Sequence, residues 1–195
     1  FAAADAGPTI CSDRPDLLAH RQGVYASARL VDSLQRTRRW EKARTEAARI
    51  SELRISPEGV VTLSLGWHEG GKLGAEFSRG CLRFENGQVR LHVAEFGPVG
   101  RFKRLGGPGD FRTDDAPYFD MLFKGCFKDA GGERWCFRTN TVEVAGVARS
   151  ATLMLDRVEL PAGGSVLRVE GDSGFLLMAP RGKGWAGSST RSSIS

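Results

Sequence analysis

The sequence is short of cysteine, histidine and methionine and has no long apolar run. Its 195 residues include 4 cysteines, 3 histidines, 3 methionines and 2 tyrosines. No stretch approaches the roughly 18 consecutive apolar residues of a membrane-crossing helix, so no transmembrane segment is expected. The cysteines lack the double C-x-x-C spacing of a zinc site and the histidines are scattered, so neither a metal nor another cofactor is expected. There is no G-x-S-x-G elbow, and Gly106-Gly107-Pro108-Gly109 lacks the Lys-Ser/Thr ending of a phosphate-binding loop. No catalytic constellation therefore speaks for an enzyme, and a non-catalytic role is the leading expectation. No internal repeat of roughly 20–50 residues is visible.

What is present is an ordinary globular composition, 41% apolar, which suffices for a full core. Lys and Arg number 28 against 23 Asp and Glu, a formal charge of +5. That balance suits an anionic partner weakly. A nucleic acid is not expected, because the basic residues are spread over the whole chain and lack interleaved aromatics.

The ends and the periodicity define four segments. Residues 1–12 read as a flexible start, and the small-x-small triplets from Phe1 to Ala6 resemble the end of a cleaved signal peptide. Residues 13–50 read as a helical lead-in packed on the domain. Ser12, Pro15 and Asp16 mark its start, Leu30, Val31 and Leu34 form an apolar face, and a break falls near Gly23. From Gln35 onward only a thin stripe through Trp40, Ala43, Ala47 and Ile50 is apolar, so Arg36, Arg38 and Arg39 form a wet face. Residues 51–180 then switch to a period of 2, with strands expected at 81–84, 88–96, 118–127, 135–139, 141–147, 152–160, 166–170 and 175–179. Residues 181–195 read as a flexible basic Gly/Ser-rich tail. The fold class is therefore mainly β, an antiparallel β-barrel or β-sandwich with an N-terminal helical segment.

Two hairpins have readable registers. Asn86-Gly87 predicts a two-residue turn that pairs Phe84 with Val89 and Leu82 with Leu91 on one side. Arg83, Arg90 and His92 then share the other side. Either Glu76, Glu85 or Glu95 neutralises the two opposed arginines on a solvated face, or they recognise an anion. In the second hairpin an Ala130-Gly131-Gly132 loop sets Cys126 opposite Cys136 and Phe127 opposite Trp135, a geometry suited to a disulfide. By elimination Cys11 pairs with Cys81. Two disulfides and the export-like start place the chain in a periplasm or outside the cell.

Residues 97–117 read as a long loop, holding Arg101, Lys103 and Arg104 and then Asp110, Asp114 and Asp115, with Asp120 just beyond. Three functional expectations follow. The first is an exported non-catalytic binding protein for a protein partner or an anionic envelope component, in an inhibitor, immunity-type or assembly-subunit role. Its contacts would be Arg83, Arg90, His92, Arg101, Lys103, Arg104, Tyr118 and Phe119, since interface hot spots favour arginine and aromatics. The second is a β-barrel carrier of a small apolar or anionic ligand, with Trp67, Phe84, Phe127 and Trp135 as wall and Arg83 and Arg90 at the mouth. The third is a hydrolase of an envelope polymer that uses the aspartates as acid and base.

Overall fold

A computed structural model describes residues 7–47, 49–65, 69–107, 115–128, 132–155, 165–170, 175–181 and 184–190. The chain is mainly β and antiparallel. Its elements begin with β1 (Thr9–Cys11), α1 (Pro15–Ala19), β2 (Gly23–Ser27), α2 (Ala28–Thr37) and α3 (Trp40–Glu46). Strands β3 (Ile50–Ile55), β4 (Val61–Leu65), β5 (Glu69–Lys72), β6 (Gly80–Glu85), β7 (Gln88–Val93) and β8 (Gly97–Gly106) follow. After α4 (Ala116–Phe123) come β9 (Gly125–Lys128), β10 (Arg134–Arg138), β11 (Thr141–Val144) and β12 (Val147–Leu153). The last three are β13 (Ser165–Val169), β14 (Phe175–Arg181) and β15 (Gly184–Thr190).

The chain divides into two compact units, Phe1–Asp32 with Glu46–Phe111 and Ser33–Thr45 with Arg112–Ser195. Nothing in the composition near residue 111 announces this division, which is why the pattern reads as one β domain behind a lead-in.

In the first unit the sheet runs β1-β6-β7-β8-β2-β3-β4-β5, antiparallel throughout. It curls so that one face encloses an apolar core that includes Leu18, Tyr25, Leu53, Leu63, Leu82, Leu91 and Phe102. The alternation of burial along β6 and β7 is the period-2 pattern of a sheet with one dry and one wet face. Asn86 at φ 44° and Gly87 at φ 76° make the expected two-residue turn, and the register 85–88, 84–89, 83–90 and 82–91 follows from it. Cys11 faces Cys81 across β1 and β6, and the two are bonded.

Three expectations for this unit are corrected. Residues 9–11, read as part of a flexible start, form β1 and pair with β6. Residues 23–27 are not helical: they form β2, buried along its whole length between β3 and β8. Gly23 is required there. It has φ +155°, and a Cβ on it would stand 2.7 Å from the Gly106 carbonyl oxygen. Residues 97–106 are not a loop but β8, which pairs with β7 on one side and β2 on the other. Its glycines and Pro98 disguise a strand whose register shifts between Leu91 and His92, where one extra residue is absorbed.

The second unit is a seven-stranded antiparallel meander in the order β15-β14-β13-β12-β11-β10-β9, whose edge strands β15 and β9 approach each other. Cys126 and Cys136 are register partners on β9 and β10 and are bonded, and Phe127 and Trp135 are likewise register partners. Residues 118–123 are not a strand. Asp115 and Pro117 open α4, with the Asp115 carbonyl accepting from the Tyr118 and Phe119 N–H groups at 3.0 and 2.8 Å. Phe119, Phe123 and Phe137 pack with ring centroids 5.2 to 6.4 Å apart. Burying each such ring is worth about 1.5–3 kcal/mol. The expected tail is likewise corrected over 184–190, which pairs with β14 as β15. Residues 191–195 lie outside the described residues.

Residues 13–50 are not a continuous helical lead-in: they hold three short helices, α1, α2 and α3, with β2 between the first two. α2 stops because Arg38 adopts φ 52°, with its N–H donating to the Leu34 carbonyl at 2.8 Å. α3 then carries Trp40, fully buried in the second unit. The Trp40 indole N–H donates to the Leu155 carbonyl at 3.2 Å, its backbone N–H donates to Ser165 Oγ at 3.1 Å, and its ring lies 5.1 Å from that of Tyr118.

Candidate functional site on the outer face of strands β6, β7 and β8

Because the inner face of the first sheet takes Leu82, Phe84, Val89, Leu91 and Phe102, parity sends Arg83, Arg90, Arg101, Lys103 and His92 outward. Arg83 faces Arg90 across β6 and β7, and Arg90 faces Arg101 across β7 and β8. Strands lie about 4.8 Å apart, so the three guanidinium stems form one row roughly 10 Å long.

Like charges so opposed repel unless an acid stands between them. Glu85 supplies it: one carboxylate oxygen accepts from Arg83 Nε at 2.7 Å and the other from Arg90 Nε at 2.9 Å. Of the three acids considered from the sequence, Glu85 neutralises the pair. Lys103 Nζ meets Asp32 Oδ1 at 2.5 Å. Arg101 is exposed and has no carboxylate in ion-pair contact among the described residues. The face thus carries four cations against two carboxylates. Each guanidinium has five N–H donors, so the Glu85 contacts leave donors for an incoming anion.

The other expected contacts fall elsewhere. Arg104 lies at the end of the sheet, opposite Tyr25 of β2, and donates to the Gln22 carbonyl at 3.2 Å. Tyr118 and Phe119 are no loop anchor: both are fully buried in the second unit, because α4 turns its aromatics into that core. The residues expected to form a carrier wall are distributed over both units. Phe84 belongs to the first unit, Phe127 and Trp135 to the second, and Trp67 lies outside the described residues. Asp32, which neutralises Lys103, lies 71 residues from it in sequence, so no local pattern pairs the two.

Among the aspartates, Asp110 and Asp114 lie outside the described residues. Asp115 is buried and accepts from the Asn140 side-chain amide at 2.9 Å and from the Leu153 N–H at 2.7 Å, so it ties the start of α4 to β12 and the β10–β11 turn. Asp120 accepts from Thr139 Oγ1 at 2.7 Å. Substituting Asp115→Ala strands a buried N–H and an amide, and a loss of about 2–3 kcal/mol in a urea melt is expected. Asp120→Ala, at a more exposed contact, is expected to cost under about 1 kcal/mol. Equal costs for the two variants would show that Asp115 does not hold α4.

Among the described residues, no three His, Cys, Asp or Glu side chains converge as a metal site, and no helix is long and apolar enough to cross a membrane. Two disulfides are the mark of an oxidising compartment rather than the cytosol. No protein-family model, no curated protein and no solved structure matches this chain.

Proposed function

We propose that the chain is a non-catalytic binding protein of the periplasm or the extracellular space, built on small antiparallel barrels. It engages an acidic protein surface through the outer face of β6, β7 and β8, in an inhibitor, immunity-type or assembly role. The observation that carries this reading is the in-register row Arg83–Arg90–Arg101, held on three paired strands with Glu85 as its one shared carboxylate. A rigid row of guanidinium groups matches carboxylates on a partner and costs little side-chain ordering. The Cys11–Cys81 bond beside it fixes β1 to β6, which keeps the face in one shape.

Native mass spectrometry of the unreduced protein from the cells that make it tests the reading. The expected result is a complex with a second polypeptide that is lost at high salt and in an Arg90→Glu/Arg101→Glu variant. Both side chains are exposed, so that variant should melt within about 1 kcal/mol of the parent. A bare chain, or a complex indifferent to the charge reversal, overturns it.

A further inference from the structure

The two disulfides differ in what surrounds them. Cys11 and Cys81 are both half-buried, and the arginines on either side of Cys81 already have acids. Arg79 meets Asp13 at 2.6 Å and Arg83 meets Glu85 at 2.7 Å. In the second unit Cys126 is exposed on β9, whereas its partner Cys136 on β10 is buried. The Arg134 guanidinium donates to Cys126 Sγ at 3.6 Å and meets no carboxylate among the described residues. Arg134 and Lys128 are register partners, two residues from Cys136 and Cys126 respectively, so both cations share the face that carries the bond. On its other side Cys136 faces Glu143 of β11.

This arrangement gives the two sulfurs different roles. The thiolate is the form that attacks and is alkylated, and a neighbouring guanidinium favours it. Freed from its partner, Cys126 would stand in water beside Arg134 and Lys128. Cys136 would be buried next to a carboxylate, and both conditions disfavour its charge. Access has the same asymmetry, since an incoming sulfur reaches Cys126 and not Cys136. The bond also joins residues only 10 apart at the edge of the sheet, so its opening releases one hairpin and not the core. β9 stays paired with β10 through four register pairs.

We infer that Cys126–Cys136 is a thiol–disulfide exchange site, opened by an external dithiol through Cys126 while Cys11–Cys81 stays closed. A thiolate of the dithiol attacks Cys126 Sγ. A mixed disulfide forms, the Cys126–Cys136 bond breaks, and Cys136 leaves and takes a proton from water. The second thiol of the reagent then gives its proton to water and attacks the reagent's own sulfur in the mixed disulfide. The reagent departs with an internal disulfide, oxidised by two electrons, and Cys126 is left as a thiolate beside Arg134. The site belongs to the second unit and does not depend on docking at the arginine row of the first.

In the test, the oxidised full chain is treated with dithiothreitol at neutral pH, quenched at intervals with N-ethylmaleimide and read by peptide mass spectrometry. Cys126 and Cys136 are expected to be labelled at least tenfold faster than Cys11 and Cys81, with the far-ultraviolet dichroism unchanged. A brief glutathione challenge quenched in acid should leave its mixed-disulfide adduct on Cys126. In the reduced pair, iodoacetamide should alkylate Cys126 at least tenfold faster than Cys136. Arg134→Gln should slow the alkylation of Cys126 at least threefold, and because Arg134 is exposed the variant should melt as the parent does. Any of three results overturns the inference: all four cysteines labelled together, the glutathione adduct on Cys136, or alkylation of Cys126 unchanged in Arg134→Gln.

Discussion

Replacing Cys11 and Cys81 together by serine is expected to destabilise the first unit by about 4 kcal/mol, because their bond closes a long loop in the unfolded chain. The two are 70 residues apart in sequence. The entropy removed from the unfolded ensemble grows with the logarithm of that length. Cys126 and Cys136 are only 10 apart, and the corresponding loss is about 3 kcal/mol. For a unit near 100 residues, 4 kcal/mol corresponds to a melting point lower by on the order of 15 °C. Thermal melts of the oxidised chain and of both double serine variants, followed by circular dichroism, read the difference. A shift of less than a few degrees for Cys11→Ser/Cys81→Ser would mean that β1 adds nothing to the first sheet, against the pairing seen between Thr9–Cys11 and β6.

The second large effect concerns Trp40. Truncating a fully buried tryptophan to alanine costs about 3–5 kcal/mol, from lost transfer energy and from the cavity left behind. Trp40 adds a directional contact, since its indole N–H satisfies the Leu155 carbonyl. Trp40→Ala is therefore expected near the upper end of that range, with loss of near-ultraviolet dichroism as the neighbouring Tyr118 ring is freed. Trp40→Phe keeps most of the packing and gives up the hydrogen bond, at about 1–2 kcal/mol. A small loss for Trp40→Ala in a denaturant melt would show that α3 is not part of the second unit's core, contrary to its burial there.

The disulfide and the tryptophan illustrate what the sequence reveals and what it hides. The Cys11–Cys81 pairing follows from counting once the 126–136 hairpin is recognised. The Asn86-Gly87 turn fixes its register, and with it the neighbours of Arg83, because type I′ geometry asks for residues that tolerate positive φ. Residues 23–27 are misread because β2 runs straight into α2 without a glycine or proline between them, so helical residues on one side bleed into the strand. α4 is misread for another reason. Nearly every side chain from Ala116 to Phe123 is buried, so neither a 2-residue nor a 3.6-residue period survives in its hydrophobicity. Pro117 behind an aspartate is the one local sign of a helix start, and four aromatic or aliphatic neighbours outvote it. β8 fails on composition, since Gly97, Gly100 and Pro98 belong to loops almost everywhere else. In the site, parity yields the outward set of Arg83, Arg90 and His92. Arg101 joins them only once β8 is known to be a strand.

The route of the backbone between the two units has a consequence for the order in which the chain is made. Residues 33–45 leave the first unit, contribute α3 to the second, and return at Glu46. Synthesis therefore delivers everything the first sheet needs by Gly106, while Trp40 has emerged 115 residues ahead of Leu155 and 125 ahead of Ser165. During that interval the indole has no native cavity to enter. Until the last third of the polypeptide arrives, the newborn chain therefore carries an arginine-rich segment whose largest apolar side chain, Trp40, waits for its core.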